Sequence, residues 1–103
     1  MSFDQARTPS PAASSAANRL VPAKHVVVAV HGTRTVLLDP RRGRYYGLDE
    51  VGGRVWTLAG ENLSAQEIID RLSIEYDVQR DRLEADVLAL VNDLVAKRLL
   101  EPI

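Results

Sequence analysis

The chain has 103 residues, a formal net charge of −1 and no cysteine. This length supports one domain with one modest core. Because acidic and basic residues nearly balance, no strong field favours nucleic acid or a membrane surface as the partner. The absence of cysteine excludes disulfides and thiolate metal sites, and no apolar run approaches the ~20 residues that span a bilayer. We expect a cytoplasmic protein that does not bind membranes and is a monomer.

The composition of the chain changes near Leu20. Residues 2–18 are rich in Ala, Ser and Pro, and Phe3 is their one large apolar residue. Such a segment cannot bury enough apolar surface to offset the entropy lost in ordering it, and it lacks the pattern of a signal peptide. We expect a disordered tail over residues 1–22 and a folded domain over residues 23–103.

Three short segments have the composition of β-strands. His25–Val30 is rich in β-branched residues, and it is followed by Thr35–Leu38 and by Arg44–Leu48. Residues 39–43 carry Asp and Pro early and Gly late, which is typical of a type I turn with a following glycine. Because the connections are short, neighbouring strands are antiparallel, and the three segments predict a meander.

After the third strand the apolar period changes from two to 3.6 residues, which predicts helices. Asp49 can cap a first helix that ends at Gly60. A capping box over Ser64–Glu67 begins a second helix that ends near Tyr76, and the longest helix spans about residues 80–98. Three strands followed by three helices predict an α+β domain with local topology.

The sequence lacks the residue patterns that catalysis requires. His25 and His31 lie at or beside the ends of a strand, without helical ligand spacing, and we expect both at the surface, since zinc sites need three or four ligands. Gly52 and Gly53 lie inside the first helix, where they permit close packing and form no phosphate loop. No serine has a nucleophile-elbow pattern, and no carboxylate pair is singled out as acid and base. We expect no enzyme activity, no cofactor and no metal.

The third helix carries more apolar surface than one core-facing stripe requires. Five residues share a stripe about 100° wide, and three more widen the apolar surface to about half of the circumference. The five are Leu83, Val87, Leu90, Val91 and Leu94, and the three are Leu88, Val95 and Leu99. Either the domain covers this helix on two sides, or one margin remains as the wall of a groove. Asp86 and Asp93 border the margin that contains Leu83 and Leu90.

The third strand is an edge of the predicted sheet. Its outer side offers unpaired backbone N–H and C=O groups, and Arg44 is its only charged residue, followed by Tyr45, Tyr46 and Gly47. A peptide can add to such an edge as a fourth strand. Because side chains alternate between the faces, Tyr46 shares a face with Leu48, and we expect Tyr46 to point toward the helices.

Several segments together resemble one known family, the PqqD family, in order and in spacing. They are Thr35–Trp56, Ser64–Leu72, Glu75–Val78, Leu83–Val91 and Leu99–Glu101. The resemblance covers about residues 25–103 and implies a winged helix-turn-helix-like fold. It also implies a recognition element for ribosomally made, modified peptides. In such domains the leader of the precursor peptide adds as a strand to the third β-strand and packs against the third helix.

Position by position, the resemblance implies a peptide-binding site on that strand and that helix. The implied contacts are Arg44, Tyr45, Tyr46, Gly47 and Leu48 on the strand, and Leu83, Asp86, Val87, Leu90, Val91 and Leu94 on the helix. Part of this set must also belong to the core. The turn over residues 39–43, together with Tyr46–Asp49, is most similar to the free-standing members of lasso-peptide pathways. That similarity implies a leader peptidase as a partner, with an ATP-dependent cyclase of the same pathway as a further one.

Two other functions are compatible with the predicted elements. Three helices and a β-hairpin also describe a winged helix that binds DNA, with Arg34, Arg41, Arg42 and Arg44 available for phosphates. However, residues 67–98 hold eight acidic and five basic residues, whereas a recognition helix normally presents Arg or Lys. We therefore expect no nucleic acid partner. The second alternative is an adaptor that binds only a protein partner through the same strand edge.

Overall fold

Residues 17–103 are described by the computed structural model of the protein, and they contain five strands and three helices. In chain order the elements are β1 (Leu20–Pro22), β2 (Val27–His31), β3 (Arg34–Asp39), β4 (Arg44–Leu48), α1 (Glu50–Ala59), α2 (Ala65–Glu75), α3 (Arg80–Ala96) and β5 (Leu100–Pro102). Strands β2, β3 and β4 form an antiparallel sheet in that order. The predicted α+β domain, a three-stranded meander followed by three helices, is confirmed. Within the described residues, no helix has the length and apolar character needed to cross a membrane.

A buried carboxylate holds the turn between β3 and β4. Asp39 is 1% exposed, and its Oδ1 accepts hydrogen bonds from the backbone N–H of Arg41 at 3.0 Å and of Arg42 at 3.4 Å. Gly43 completes the turn at a φ of +62°, which glycine adopts without steric cost. The turn predicted over residues 39–43 is confirmed, and it sets the register in which β4 pairs with β3.

His25 differs from the expectation that both histidines lie at the surface. Its side chain is 16% exposed, and its Nε2 lies 3.5 Å from Oδ1 of Asp39. His31 is exposed, as expected. The difference arises because the segment before β2 places His25 next to the buried end of β3, a contact that strand alternation alone does not reveal.

The first two helices begin at the predicted caps. The Asp49 carboxylate accepts a hydrogen bond from Gly52 N–H at 2.8 Å at the start of α1. At the start of α2, Ser64 and Glu67 form the predicted capping box, with side-chain-to-backbone distances of 3.1 and 2.9 Å. These bonds satisfy N–H groups that have no partner within the helix.

Helix α3 ends shortly before the predicted residue. It stops at Ala96 because Arg98 adopts a φ of +61°. Leu99 N–H then bonds to Leu94 O at 2.9 Å, and Arg98 N–H bonds to Val95 O at 3.0 Å. This pattern closes helices in the Schellman motif, usually with glycine at the left-handed position. An arginine at that position is why the sequence contains no sign of the helix end.

Helix α1 packs directly on the sheet, as the adjacent glycines predict. A Cβ atom at Gly53 would lie 2.7 Å from Oγ1 of Thr35 on β3, closer than nonbonded carbon and oxygen atoms approach. The sheet and the helices enclose one core, whereas all five residues of β2 are exposed. The largest fully buried side chains are Leu20, Leu37, Val55, Leu58, Ile68, Ile69, Leu72, Val87, Val91, Leu94, Leu99 and Leu100.

A pair of charged side chains joins α1 to the end of α2. Arg54 donates from Nε and Nη2 to the two carboxylate oxygens of Glu75, at 3.0 and 2.7 Å. This hydrogen bonding lowers the pKa of Glu75 and raises that of Arg54. Next to it, the Tyr76 hydroxyl donates to Glu50 at 3.1 Å, and burial, followed by this hydrogen bond, raises the pKa of Tyr76.

A second, two-stranded sheet corrects the predicted domain boundary. Strand β1 pairs antiparallel with β5, and Leu20 is completely buried. Leu20–Pro22 therefore belongs to the domain and not to a tail over residues 1–22. The partner strand lies at the other end of the chain, so local pattern does not reveal the pairing. Residues 1–16 of the predicted tail lie outside the described residues.

We predict that Leu20→Ala destabilises the domain by about 2–5 kcal/mol, because it removes a fully buried side chain and leaves a cavity. Urea unfolding followed by circular dichroism measures the change. Val30→Ala is the matched control, because Val30 is 71% exposed, and it should shift the free energy of unfolding by less than about 0.5 kcal/mol. Equal effects of the two substitutions would contradict a structural role for β1.

We predict that Glu75→Gln destabilises the domain at neutral pH by about 0.5–1 kcal/mol, the modest effect of a partly exposed ion pair. The pKa of Glu75 is lowered in the folded state, so its contribution is present above the ordinary value of 4.5 and is lost as the pH falls below it. Urea midpoints of the variant and the natural chain should therefore converge between pH 6 and pH 3. Glu101→Gln, at an exposed residue of β5, is the control. A difference between the urea midpoints of Glu75→Gln and the natural chain that increases at low pH would refute the ion pair.

Candidate peptide-binding groove

An apolar groove lies between β4, α1 and α3. Its volume is ≈ 430 Å³, within the range of about 300–1,000 Å³ that is typical of ligand pockets. The residues that line it are Gly47, Leu48, Asp49, Val51, Gly52, Val55, Tyr76, Val78, Arg82, Leu83, Asp86, Val87 and Leu90. Most of these side chains are apolar, and the charged ones come from three positions, so the groove suits an apolar ligand group.

Gly52 lies where the three elements meet. A Cβ atom there would lie 3.2 Å from Cβ of Leu48 on β4 and 3.5 Å from Cδ2 of Leu90 on α3. Because Gly52 also lines the groove, any side chain at this position would take up volume between the two walls. The glycine that was predicted to allow close packing therefore also keeps the groove open.

Strand β4 forms the edge of the sheet beside this groove. It pairs with β3 on one side, and no strand within residues 17–103 pairs with its other side. Of its residues, only Arg44 is charged, and neither a proline nor a lysine guards the edge. Backbone N–H and C=O groups along β4 are therefore available to an additional strand.

The two tyrosines of β4 point to opposite faces of the sheet. Tyr46 is partly buried and packs against the core, as expected, and Lys97 Nζ lies 4.9 Å from the centroid of its ring. Tyr45 is 75% exposed, and Arg44 is also exposed. Gly47 and Leu48 line the groove, whereas Arg44, Tyr45 and Tyr46 precede them on β4 and do not line it.

Helix α3 contributes both to the groove and to the core. Leu83, Val87 and Leu90 line the groove together with Asp86, which is exposed at its rim. Val91 and Leu94 are each 1% exposed and do not line the groove. Of the six helix contacts implied by the family resemblance, four therefore line the groove and two lie in the core away from it.

The wide apolar surface of α3 thus has two causes. Leu88 and Val95 pack against the core from one side, which agrees with a helix that the domain covers. On the other margin Leu90 is only partly buried and forms a wall of the groove. The two interpretations of the sequence both hold, each for one margin of the same helix.

Sequence reasoning missed the part of the groove that comes from α1 and from the connection between α2 and α3. Val51 and Val55 were seen only as helix residues, and Tyr76 and Val78 follow α2 without a regular period. Their signal was the family resemblance, since its segments Thr35–Trp56 and Glu75–Val78 contain these four residues, but the resemblance implies no peptide contact for any of them. The Glu50 contact described above positions the Tyr76 ring at the groove.

Charges of both signs lie at the rim of the groove. Asp49 and Asp86 are both exposed, but Asp49 Oδ1 already accepts the hydrogen bond that caps α1. Asp86 and Arg82 form no ion pair within the described residues. Among residues 17–103, no three His, Asp or Glu side chains are close enough together to hold a metal ion.

Comparison with known proteins gives one family and two close structures. The family described as coenzyme PQQ synthesis protein D (PqqD) matches residues 34–100. A structure described as TbiB1 in complex with the TbiA(beta) leader peptide is 38% identical with a TM-score of 0.72, and the match covers 79% of this chain and 94% of that one. A lasso peptide synthetase B1 complexed with the leader peptide is 27% identical with a TM-score of 0.71, covering 82% and 99%.

No curated protein matches the chain. The family match spans more than half of its residues, and it includes all the residues that line the groove. The structural relative at 38% identity extends over most of the same region. The chain belongs to the PqqD family.

Proposed function

We propose that this protein binds the leader segment of a ribosomally made precursor peptide and catalyses no reaction itself. The leader adds as a strand to the free edge of β4, and its inward side chains enter the groove beside α3. The observation that carries this proposal is the unpaired edge of β4 directly next to an apolar groove.

Each half of the site supplies a different kind of interaction. Backbone hydrogen bonds to β4 are largely independent of the leader sequence, so they provide affinity for any extended chain. Selectivity comes from the side chains that enter the groove, where a few apolar anchors carry most of the binding energy. Leu48, Val51 and Leu90 are apolar residues of the groove wall that such an anchor would contact.

The structural relatives support a leader as the ligand, since both are described as complexes with a leader peptide. One of them is a lasso peptide synthetase B1, which supports a lasso-type pathway for this chain. In that pathway the bound leader presents the rest of the precursor to a leader peptidase and then to a cyclase. Binding by this domain would raise the concentration of the precursor near those enzymes.

The DNA-binding alternative receives no support from the comparisons, because both structural relatives are described with peptides. The surface of α3 also argues against it. Arg80 is paired with Asp70, and Asp81, Asp86 and Asp93 are exposed on the same helix. A phosphate backbone would be repelled by these carboxylates.

We predict that Leu90→Asp weakens leader binding by at least about 30-fold, because it places a carboxylate against the apolar anchor of the ligand. The probe is a fluorescein-labelled TbiA(beta) leader peptide, the ligand of the structural relative that is 38% identical, and fluorescence polarisation measures its Kd. Ala89→Asp adds the same charge to an exposed position of α3 outside the groove and should leave Kd within about twofold.

Because Leu90 also touches the core, circular dichroism must show that both variants are folded. Leu90→Ala serves as the milder variant, with an expected loss of about tenfold from the smaller apolar contact. Unchanged affinity in both Leu90 variants would rule out the groove as the leader site.

We predict that N-methylation of the leader backbone weakens binding only at every second residue. In a strand paired to β4, the N–H groups of every second residue point to β4, and the others point away from it. Methylating two N–H groups of the first set should weaken binding more than about tenfold, since each removes a hydrogen bond. Methylating two of the other set is the matched control. Equal losses in the two sets would exclude strand addition.

A further inference from the structure

We propose that the outer face of β4 carries a carboxylate-binding subsite, formed by Arg34 and Tyr45 on either side of Gly47, that recognises an acidic side chain of the leader. This inference rests on the proposed function, and it concerns the face of the bound leader that points away from the groove.

Gly47 makes room for the guanidinium of Arg34. A Cβ atom at Gly47 would lie 3.4 Å from Nη2 of Arg34, at van der Waals distance. The guanidinium therefore lies over Gly47 on β4, where side-chain atoms beyond Cβ would compete with it for space. Arg34 is on β3, and β4 is the edge strand. The guanidinium therefore extends across the last strand of the sheet, toward the position that an added strand would occupy.

Arg34 is available for a ligand. It forms no salt bridge and no side-chain hydrogen bond within residues 17–103. Four other cations of the described chain, such as Arg54 and Arg80, are paired with carboxylates. A guanidinium presents several N–H donors in one plane and binds carboxylates through two parallel hydrogen bonds.

Tyr45 completes the subsite from the same face. It is 75% exposed, and alternation along the strand places it on the face of Gly47, opposite Tyr46 and Leu48. Its hydroxyl can donate to a carboxylate that lies beside Gly47. An outward side chain of the leader would thus meet a cation on one side and a hydroxyl donor on the other.

The charge of the sheet favours the same ligand. Residues 24–48 contain five Lys and Arg residues and one acidic residue, Asp39. Asp39 is buried and already accepts two backbone hydrogen bonds in the turn after β3. Residues 49–103 instead contain twelve acidic and six basic residues. On the outer face the leader would meet the unpaired guanidinium of Arg34, whereas the rim of the groove carries two carboxylates, Asp49 and Asp86, and one guanidinium, Arg82.

The two faces together define a pattern in the ligand. Side chains at alternate positions should be apolar, because they enter the groove. The intervening side chains point away from the groove, and the one nearest Gly47 should be Asp or Glu. An acidic side chain at a position that enters the groove would instead weaken binding, because a charge would leave water for an apolar lining.

A selection without a known leader tests this pattern. The probe is a displayed library of random 12-residue peptides, selected on the full 103-residue protein, on Arg34→Glu and on Arg41→Glu. Arg41 is an exposed residue of the turn after β3, so its reversal changes the net charge equally without altering the subsite. The natural chain and Arg41→Glu should enrich alternating apolar residues with Asp or Glu at one outward position. Arg34→Glu should keep the apolar residues and enrich Lys or Arg at that position.

The outcomes separate the subsite from the groove. Apolar alternation with no acidic preference, or with one that Arg34→Glu leaves unchanged, overturns the subsite and leaves the proposed function standing. Selected peptides without apolar alternation, or no selected peptides at all, overturn the proposed function and the subsite with it.

A selected peptide then allows a double-substitution test. Changing the outward Glu of this peptide to Gln should raise its Kd for the natural chain by about fivefold. The same change should leave its Kd for the Arg34→Gln variant unaltered, because that variant lacks the guanidinium that pairs with the Glu. An equal Glu-to-Gln effect in the two proteins refutes the role of Arg34.

Discussion

Helix α1 approaches the sheet through two consecutive glycines, and the shape of the groove depends on this approach. Gly53 faces Thr35 across a gap that admits no side chain, and Gly52 lies between Leu48 and Leu90. A larger residue at either position would push α1 away from β3 or fill the space between β4 and α3. The backbone packing of one helix therefore sets the distance between the walls, and the apolar side chains only line a space that already exists.

The apolar surface of α3 continues from the core into the groove without a break. Val87 is 1% exposed and yet lines the groove, while Val91, one turn further, lies entirely in the core. A ligand side chain in the groove would extend the core instead of resting on a separate patch. Each 100 Å² of apolar surface buried there would contribute about 2.5 kcal/mol before the costs of ordering the peptide. An otherwise flexible leader could gain order in this way, since the domain supplies half of a core that is already built.

Local pattern predicted the elements of this fold well, because their ends carry residues with specific roles. Asp49 and the capping box at Ser64 mark helix starts through hydrogen bonds that the structure contains. The pairing of β1 with β5 and the contact of His25 with Asp39 escaped prediction, since both join segments that are distant in sequence or without a period. The site was half predictable for the same reason. Leu83 and Leu90 follow helical spacing, whereas the groove residues before α3 have none.

The ribbon of β1 and β5 places the entry and the exit of the domain side by side, with Leu20 opposite Pro102. No residue of either strand lines the groove. A domain whose two ends lie this close together can be inserted into a surface loop of an enzyme without separating the two ends of that loop. Such a graft would keep a captured peptide within tens of ångströms of the host's active site, where a short tether corresponds to an effective concentration on the order of millimolar.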